Sequence, residues 1–301
     1  MGESMGYSAD MAIHSASDFT SGTPVALKYL SNGLQETIPV EQNDSIRCSR
    51  SRNVADIALG NIQVSGPIVL TPTPIETGRI LPYIGMSVST NTWTLTETLA
   101  DMYVRTYMGA TNAELFTFLT RISSATLLIE PGKKLQWTLN LVGKTLTLSS
   151  SYSFPTIDDL SRPFMAYDLG ATTSFTVASV AQYVSRLEVT IDNKIDPTYM
   201  LGQTASDLEP GDRIVTCKAQ YKFNSAAEAA MFAANRAGTS QTGAFTATSG
   251  GTSMAVSFGA MVANSVSPPV NDRGKIRMDV EYNCYKTGST GEIVIVLDQT
   301  A

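Results

Sequence analysis

The chain has few of the residues from which metal sites and disulfide frameworks are built. Its 301 residues include three cysteines and one histidine, His14. Cys48, Cys217 and Cys284 lie far apart and form no CxxC pair, so the sequence predicts neither a disulfide framework nor a zinc knuckle. A single histidine also excludes the usual multi-histidine zinc sites. We therefore expect reduced thiols, and no metal or other cofactor.

Charge and long apolar runs are also scarce. Charged residues make up 16% of the chain, the net charge is −6, and the longest strongly apolar segment is IVIVL near the C-terminus. A membrane-spanning helix needs about 20 apolar residues, so the sequence predicts no span. The first ten residues have no basic or apolar region typical of a secretory signal. We expect a protein that is soluble and intracellular when made, and one that does not bind nucleic acid tightly, because that affinity depends on cations.

Three short motifs resemble known sites, but each lacks a required part. GESMG at residues 2–6 has the spacing of a nucleophile elbow, but no strand precedes it. VGKT at 142–145 lacks the first glycine of a phosphate loop and lies between two strand patterns, so we interpret it as a turn between strands. DNKIDP at 192–197 has a lysine and a proline where a calcium loop needs a ligand and a glycine. The sequence therefore predicts that the protein is not an enzyme.

Alternating β patterns fill most of the chain after residue 34. Segments such as KLQWTLNLVG and KIRMDVEYNCY alternate polar and apolar residues and end at Gly, Pro, Asn or Ser. Two segments instead predict short helices: SAAEAAMFAAN, with Gly238 beyond its end, and PIETGRILPYIG, which begins at Pro74 and ends at Gly85. Residues 1–34 have weak periodicity and are interpreted as an N-terminal arm.

The two predicted helices belong to an apparent internal repeat. Gly60 in DIALGNIQVSG corresponds to Gly211 in DLEPGDRIVTC, 151 positions later (211 − 60). KLQWTLNLVGK and KIRMDVEYNCYK correspond at an offset of 141, measured from Leu135 to Ile276 (276 − 135). Similar offsets predict a tandem duplication, although two amphipathic strands can also look alike by chance. We place the units at 35–155 and 156–301, because Pro, Ser and Asp cluster between them.

The order of these segments resembles the tail tube proteins of long-tailed bacteriophages. The resemblance spans about Leu34 to Leu297 and rests on ALGNIQVSGPIVLTPTPIETGRILPYIG, SATLLIEPGKKLQWTLNLVGK, RLEVTIDNKID and LGQTASDLEPGDRIVTCKAQYKFNSAAEAAMFAANRAG. It implies a mainly β fold of two tandem β-sandwich or half-barrel units, each with one short helix, closing into an inter-subunit β-barrel. Single-unit members form hexamers, so a duplicated member is expected to form a trimer with pseudo-sixfold symmetry. Stacked rings would form a hollow tube in the virion tail, assembled in the host cytoplasm.

The resemblance also implies roles for particular residues. The polar faces of two corresponding strands would line the lumen: Gln136, Thr138, Asn140, Arg277, Asp279, Glu281 and Asn283. Lys218 and Arg277 would moderate the repulsion between DNA and the acidic wall if they also point there. The long loops at 42–59 and 192–211 would stack the rings, with these candidates: Arg47, Arg50, Arg52, Asp56, Asp192, Lys194, Asp196, Tyr199 and Asp207. Met231 and Phe232 would pack the second helix on the sheet. The expected partners are further copies of the chain, the tape measure, tail terminator and tail tip proteins, and passing DNA, but no membrane.

Two other classes of function stay open. Another β-rich virion component, such as a capsid decoration or baseplate protein, would have no pseudo-sixfold ring. A carbohydrate-binding β-sandwich would need exposed aromatic residues and paired carboxylates in a cleft. Only two tryptophans, Trp93 and Trp137, are present, and Trp137 is predicted to lie in the core.

Overall fold

The computed structural model describes residues 9–17, 19, 24–42, 57–108, 115–149, 162–169, 175–222, 226–249, 251–267, 277–288 and 290–298. The fold is mainly β, as predicted, and the described residues include two α-helices. The strands are β1 (Ala9–His14), β2 (Val25–Ala26), β3 (Tyr29–Asn32), β4 (Gln35–Thr37), β5 (Val40–Gln42), β6 (Ile57–Leu59), β7 (Gln63–Leu70), β8 (Met86–Ser89), β9 (Thr92–Leu95), β10 (Met102–Met108), β11 (Leu115–Ile129), β12 (Gln136–Ser149), β13 (Phe175–Val177), β14 (Val180–Gln182), β15 (Val184–Asp192), β16 (Ile195–Tyr199), β17 (Ala205–Pro210), β18 (Ile214–Lys222), β19 (Gln241–Ser249), β20 (Thr252–Ser267), β21 (Arg277–Tyr285) and β22 (Val294–Asp298). The helices are α1 (Pro74–Ile84) and α2 (Ala226–Arg236), and a short 3-10 turn covers Ala166–Leu169.

One antiparallel sheet runs through both halves of the chain. In spatial order its strands are β3 with β4, then β7, β12, β11, β15, β18, β21 and β20. The other half of β11 pairs with β10, and β10 pairs with β1. The other half of β20 pairs with β19 and β22, and β22 also pairs with β9. The junction of the two halves is therefore a pair of strands, β11 and β15, inside one continuous sheet.

The same pairing order occurs twice, which explains the repeat in the sequence. In the first half β7 pairs with β12 and β12 with β11; in the second half β18 pairs with β21 and β21 with β20. Irregularities recur at corresponding places, between Ile122 and Ser124 in β11 and between Ala263 and Ser265 in β20. The two predicted glycines also correspond. Gly60 N–H donates to the Pro39 carbonyl, and Gly211 N–H donates to the Lys194 carbonyl.

Both predicted helices form next to this sheet. Thr73 caps α1 in a capping box with Glu76, Pro74 occupies the first turn, and Gly85 ends the helix at φ +92°. Gly78 and Pro82 do not prevent the helix; Pro82 stands near its end, and the Gly85 N–H still bonds to the Leu81 and Pro82 carbonyls. In the second half α2 ends at Arg236, and Gly238 follows it with φ +67°.

The predicted turn at 142–145 is wrong. β12 passes through this segment without turning, and Gly143 faces Val64 of β7 on one side and Thr120 of β11 on the other. A side chain at Gly143 would meet Val64 Cγ1 at 2.7 Å and the Leu119 carbonyl at 2.8 Å. The glycine is therefore explained by close packing between three strands rather than by a turn.

The segments interpreted as an arm and as loops contain further strands. Residues 1–34 contribute β1, β2 and β3 to the large sheet. The segment 192–211 forms a hairpin of β16 and β17, and in the segment 42–59 the described ends belong to β5 and β6, which pair with each other. Each hairpin leads into the corresponding strand of its half, β7 or β18. The segment 192–211 is therefore long because it contains an ordered hairpin.

Candidate functional site: a polar face across the shared sheet

Strand alternation gives the shared sheet one buried and one polar face. On β12, Trp137 and Leu139 are buried, as are Val280 and Tyr282 on β21. The residues between them point to the opposite side, because successive side chains of a strand alternate. We call that side the polar face. Its cross-strand rows are Thr138, Thr126, Thr190, Thr216 and Asn283; then Gln136, Leu128, Glu188, Lys218 and Glu281; then Asn140, Ser124 and Asp192; and then Arg186, Gln220 and Asp279.

The structure brings the sequence-predicted lumen residues onto this one surface. Gln136, Thr138 and Asn140 come from β12, whereas Arg277, Asp279, Glu281 and Asn283 come from β21. The two sets are separated by β11, β15 and β18, whose residues in the rows between them are polar except for Leu128. Sequence reasoning identified the two outer strands but missed most residues of the three between them, of which it named only Lys218 and, for a stacking role, Asp192.

Side-chain hydrogen bonds connect neighbouring strands across the polar face. Asn140 Nδ2 donates to Ser124 Oγ at 2.8 Å. The hydroxyl oxygens of Thr126 and Thr190 lie 3.1 Å apart, which joins the two halves of the chain on this face. Such cross-strand pairs each add a few tenths of a kcal/mol to about 1 kcal/mol of sheet stability.

The basic side chains of the polar face have acidic or amide partners. Lys218 Nζ lies 3.5 Å from Glu281 Oε1, and Arg186 Nη2 lies 2.9 Å from Glu188 Oε2. Arg277 Nη1 donates to Gln220 Oε1 at 3.1 Å. These solvent-exposed pairs contribute little to stability. They do, however, place a negative or neutral group beside each cation, which reduces the attraction of the surface for phosphate.

On the buried side of the sheet, α2 is fixed by a polar network. Tyr221 donates to the Tyr282 hydroxyl at 3.2 Å, Asn235 Nδ2 donates to the same oxygen at 3.2 Å, and Gln241 Nε2 donates to Asn235 Oδ1 at 2.9 Å. Burial, together with the neighbouring Tyr282, raises the pKa of Tyr221 well above its usual value, so the hydroxyl remains a donor. Met231 of α2 is also buried. The side chain of Phe232 lies outside the described residues.

At the junction of the two halves, the side chain of Asn193 connects α1, β11 and Arg213. Its Nδ2 donates to the carbonyls of Ile84, at the end of α1, and of Ile122, in β11, at 3.2 and 3.1 Å. Its Oδ1 accepts from Arg213 Nε at 3.0 Å. The side chain is 1% exposed. The residue was not singled out from the sequence, because its partners lie 71 and 109 positions away.

The hairpin of β16 and β17 packs against β12 and leaves its tip exposed. Asp207 lies 3.3 Å from Lys144 Nζ, and the Leu208 amide, followed by Lys144, lowers the pKa of Asp207. Tyr199 donates to the Ile62 carbonyl at 3.0 Å. At the tip, Met200 is 73% exposed and Leu201 is completely exposed.

The other candidates for ring stacking are distributed differently. Asp192 ends β15 and accepts the Lys194 N–H at 3.0 Å, where Lys194 adopts φ +46° in the turn before β16. Asp196 is exposed on β16. The candidates Arg47, Arg50, Arg52 and Asp56 lie outside the described residues.

Comparison with known proteins identifies one family. A family model described as phage tail tube protein matches residues 11–284. No curated protein matches the chain. Among the described residues, no helix is long and apolar enough to cross a membrane.

Proposed function

Because the chain belongs to the phage tail tube protein family, and is therefore a structural protein of the virion tail, we propose that three copies form a pseudo-sixfold ring and that stacked rings form the DNA-conducting tube. The observation that carries the proposal is the polar face. It spans both halves of the chain through the β11–β15 pair without interruption. Two similar halves per chain and three chains per ring give six similar units around an axis.

Continuation of the sheet from one protomer to the next would satisfy the backbone hydrogen-bonding groups at its edges. A sheet edge with unpaired N–H and C=O groups is a liability in a soluble protein. Pairing each protomer with its neighbours removes all such edges when the ring closes into a barrel. Head-to-tail contacts of this kind produce rings when the rotation closes.

We place the polar face towards the lumen, because the opposite face carries the core and α2. DNA must pass through the channel without being retained, and its affinity for proteins depends mainly on Lys and Arg contacts with phosphates. The pairing of Lys218 with Glu281 and of Arg186 with Glu188 fits that requirement. The other face could not line a wet channel, since it buries residues such as Trp137 and Tyr282.

The remaining roles follow from this arrangement. The β16–β17 hairpin and residues 42–59 would contact the next ring, and the exposed tip at Met200 and Leu201 supplies apolar surface for that contact. We place the units at 35–155 and 156–301, after an N-terminal segment 1–34. The partners at the ends and inside of the tube would be the tail terminator, tail tip and tape measure proteins, with assembly in the host cytoplasm.

Electron microscopy of the purified protein tests the proposal. We expect rings or hollow tubes with six similar lobes per ring, and a ring mass of three chains by native mass spectrometry. Discrete monomers, or a ring containing another number of chains, would contradict it.

A charge reversal tests the assignment of the lumen. In phage carrying Glu281→Lys, Lys218 loses its partner and a second lysine is added beside it, so each chain presents more uncompensated positive charge to the channel; DNA ejection should slow and should recover as salt rises. Glu97→Lys, at an exposed position outside the polar face, is the matched control. Equal ejection rates for the two variants would show that the polar face does not line the channel.

A further inference from the structure

Each of the two ends of the shared sheet, β3 with β4 and the later part of β20, has no further neighbouring strand among the described residues. β3 and β4 pair on one side with β7, and on the other side with no strand in the described part of the chain. β20 pairs with β19 as far as Met261, but residues 262–267 pair only with β21, on the opposite side. These two edges stand at the two ends of the shared sheet, one in each half of the chain.

The junction inside the chain shows how such edges can be joined. β11 pairs with β10 only as far as Thr120, and its later part, Ser124–Ile129, then pairs with Leu187–Asp192 of β15. The registered pairs include Ser124 with Asp192 and Thr126 with Thr190. In the second half, β20 corresponds to β11, and no strand that the structure describes pairs with its later part as β15 pairs with β11.

The repeat identifies that missing strand by position. Ser265 and Glu281 form the pair that corresponds to Ser124 and Asn140, at an offset of 141 (265 − 124 and 281 − 140). The same comparison applies to β15 and β3. Arg186 of β15 lies opposite Gln220 of β18, and Ser31 of β3 lies opposite Val69 of β7, an offset of 155 (186 − 31). Both strands also have a register shift at the same place, between Val184 and Arg186 in β15 and between Tyr29 and Ser31 in β3. The β3–β4 segment is therefore the counterpart of β15.

We propose that residues 265–267 of one protomer pair antiparallel with residues 35–37 of the next, with Ser265 opposite Thr37 and Ser267 opposite Gln35. This assignment rests on the proposed ring and specifies its seam. The register follows from the two offsets, since Thr37 corresponds to Asp192 (192 − 155) and Gln35 corresponds to Thr190 (190 − 155). The partner is a second copy of the chain, because only the chain's own repeat supplies a strand with this register.

Local hydrogen bonding shows that the β3–β4 edge is available but partly protected. Gly33 N–H donates to Pro67 in β7 at 2.8 Å, so the next residue, Leu34, directs its backbone groups to the open edge. In the single protomer Asn32 Oδ1 accepts the Leu34 N–H at 3.0 Å. Natural proteins commonly cover edge groups to prevent uncontrolled pairing. Asn32 would release this N–H when the neighbouring strand arrives.

Engineered disulfides can test the register. Thr126 and Thr190, the counterparts of Ser267 and Gln35, have hydroxyls 3.1 Å apart. Asn193 N–H donates to the Ser123 carbonyl, so Ser123 and Asn193 are a hydrogen-bonded pair and Thr126 and Thr190, three places along, are a close, non-hydrogen-bonded pair. The double variant Gln35→Cys/Ser267→Cys should therefore form a disulfide between protomers when rings assemble under mild oxidation. Covalent dimers and trimers should appear on a non-reducing gel and disappear on reduction.

Three controls accompany the double variant. Thr126→Cys/Thr190→Cys should form its disulfide within one chain and give no covalent oligomers. Thr37→Cys/Ser267→Cys places the thiols on the same face but two residues out of register, about 7–8 Å apart, and should cross-link at least tenfold more slowly. The single variants Gln35→Cys and Ser267→Cys reveal any reaction that involves the native cysteines.

The outcomes separate the seam from the ring. Rings that form without the Gln35–Ser267 disulfide, or that cross-link faster through Thr37, would overturn the proposed seam and leave the ring intact. If the unmodified protein forms no rings by microscopy, the proposed function fails and the seam fails with it. Covalent trimers that form from Gln35→Cys/Ser267→Cys, and not from the control variants, would support both the ring and the seam.

Discussion

Asn193 provides a direct test of how the two halves of the chain are held together. Replacing it by alanine removes two hydrogen bonds to the carbonyls of Ile84 and Ile122 and one from Arg213. A neutral hydrogen bond contributes about 0.5–1.5 kcal/mol to stability and one to a charged group about 1.5–3 kcal/mol. Because the site is buried, water cannot replace the lost partners. We therefore expect Asn193→Ala to lower the free energy of unfolding by about 3–5 kcal/mol.

Asn193→Asp distinguishes the contribution of the two donated hydrogen bonds to stability from that of the accepted one. A carboxylate keeps the contact with Arg213 Nε but directs an oxygen towards two carbonyl oxygens, so we expect this variant to be less stable than the wild type despite its ion pair. Asn140→Ala is the matched control, because that amide is exposed and makes one side-chain bond. Its expected effect is within about 0.5–1 kcal/mol.

Urea denaturation of unassembled protein, followed by tryptophan fluorescence, measures these differences as shifts of the midpoint at constant slope. A loss below about 1 kcal/mol for Asn193→Ala would refute the reasoning, because the three bonds would then contribute no more than an exposed contact. Wild-type stability of Asn193→Asp would show that the donated bonds to the carbonyls contribute little.

The position that corresponds to Asn193 in the first half is Ile38 (193 − 155). The proposed seam therefore has no equivalent amide, and we expect it to separate at lower urea concentration than the junction inside the chain.

Three further predictions concern other parts of the fold. Thr73→Ala removes the N-cap of α1 and should cost about 0.5–2 kcal/mol in thermal denaturation, whereas Thr73→Ser should retain most of the stability; equal melting of both variants would contradict the capping role. Burial raises the pKa of Cys217 well above its usual value, and burial followed by Glu292 raises that of Cys284 to about 12. Because burial disfavours the thiolate in the folded state, the free energy of unfolding is unaffected by these thiols below about pH 9 and falls as the pH rises towards 12. Both thiols should react with Ellman's reagent at pH 8 only after unfolding. Rapid reaction of more than one thiol per native chain would contradict their burial, because Cys48 is the only other cysteine. Replacing Met200 and Leu201 by serine should leave the melting temperature within about 1 °C but reduce tube length in electron micrographs, since exposed tip residues contribute little to the fold; tubes of normal length would exclude the tip from ring stacking.

The sequence by itself determined the features that depend on local rules. Strand alternation separated the polar residues of β12 and β21 from their buried neighbours, because side chains alternate along any strand. Thr73, Pro74 and Gly85 mark α1 because caps act within a few residues of the helix ends. The internal offsets of 141 and 151 anticipated the repeated pairing order. Local rules failed at Gly143, because the glycine that predicted a turn instead allows close packing between three strands.

Only the tertiary structure decided which strands meet, because pairing between distant segments depends on the packing of the whole core. The joining of β11 to β15 brings residues 124–129 against residues 187–192 and makes one polar face from two halves. Asn193 acquires its role from carbonyls that are remote in the sequence and close in the fold. That β3–β4 and the later part of β20 end the shared sheet, among the residues the structure describes, likewise follows only from the pairing of distant strands. A strand pattern specifies which side chains share a face, but it does not specify the partner strand, since any strand of matching alternation can supply the same backbone hydrogen bonds.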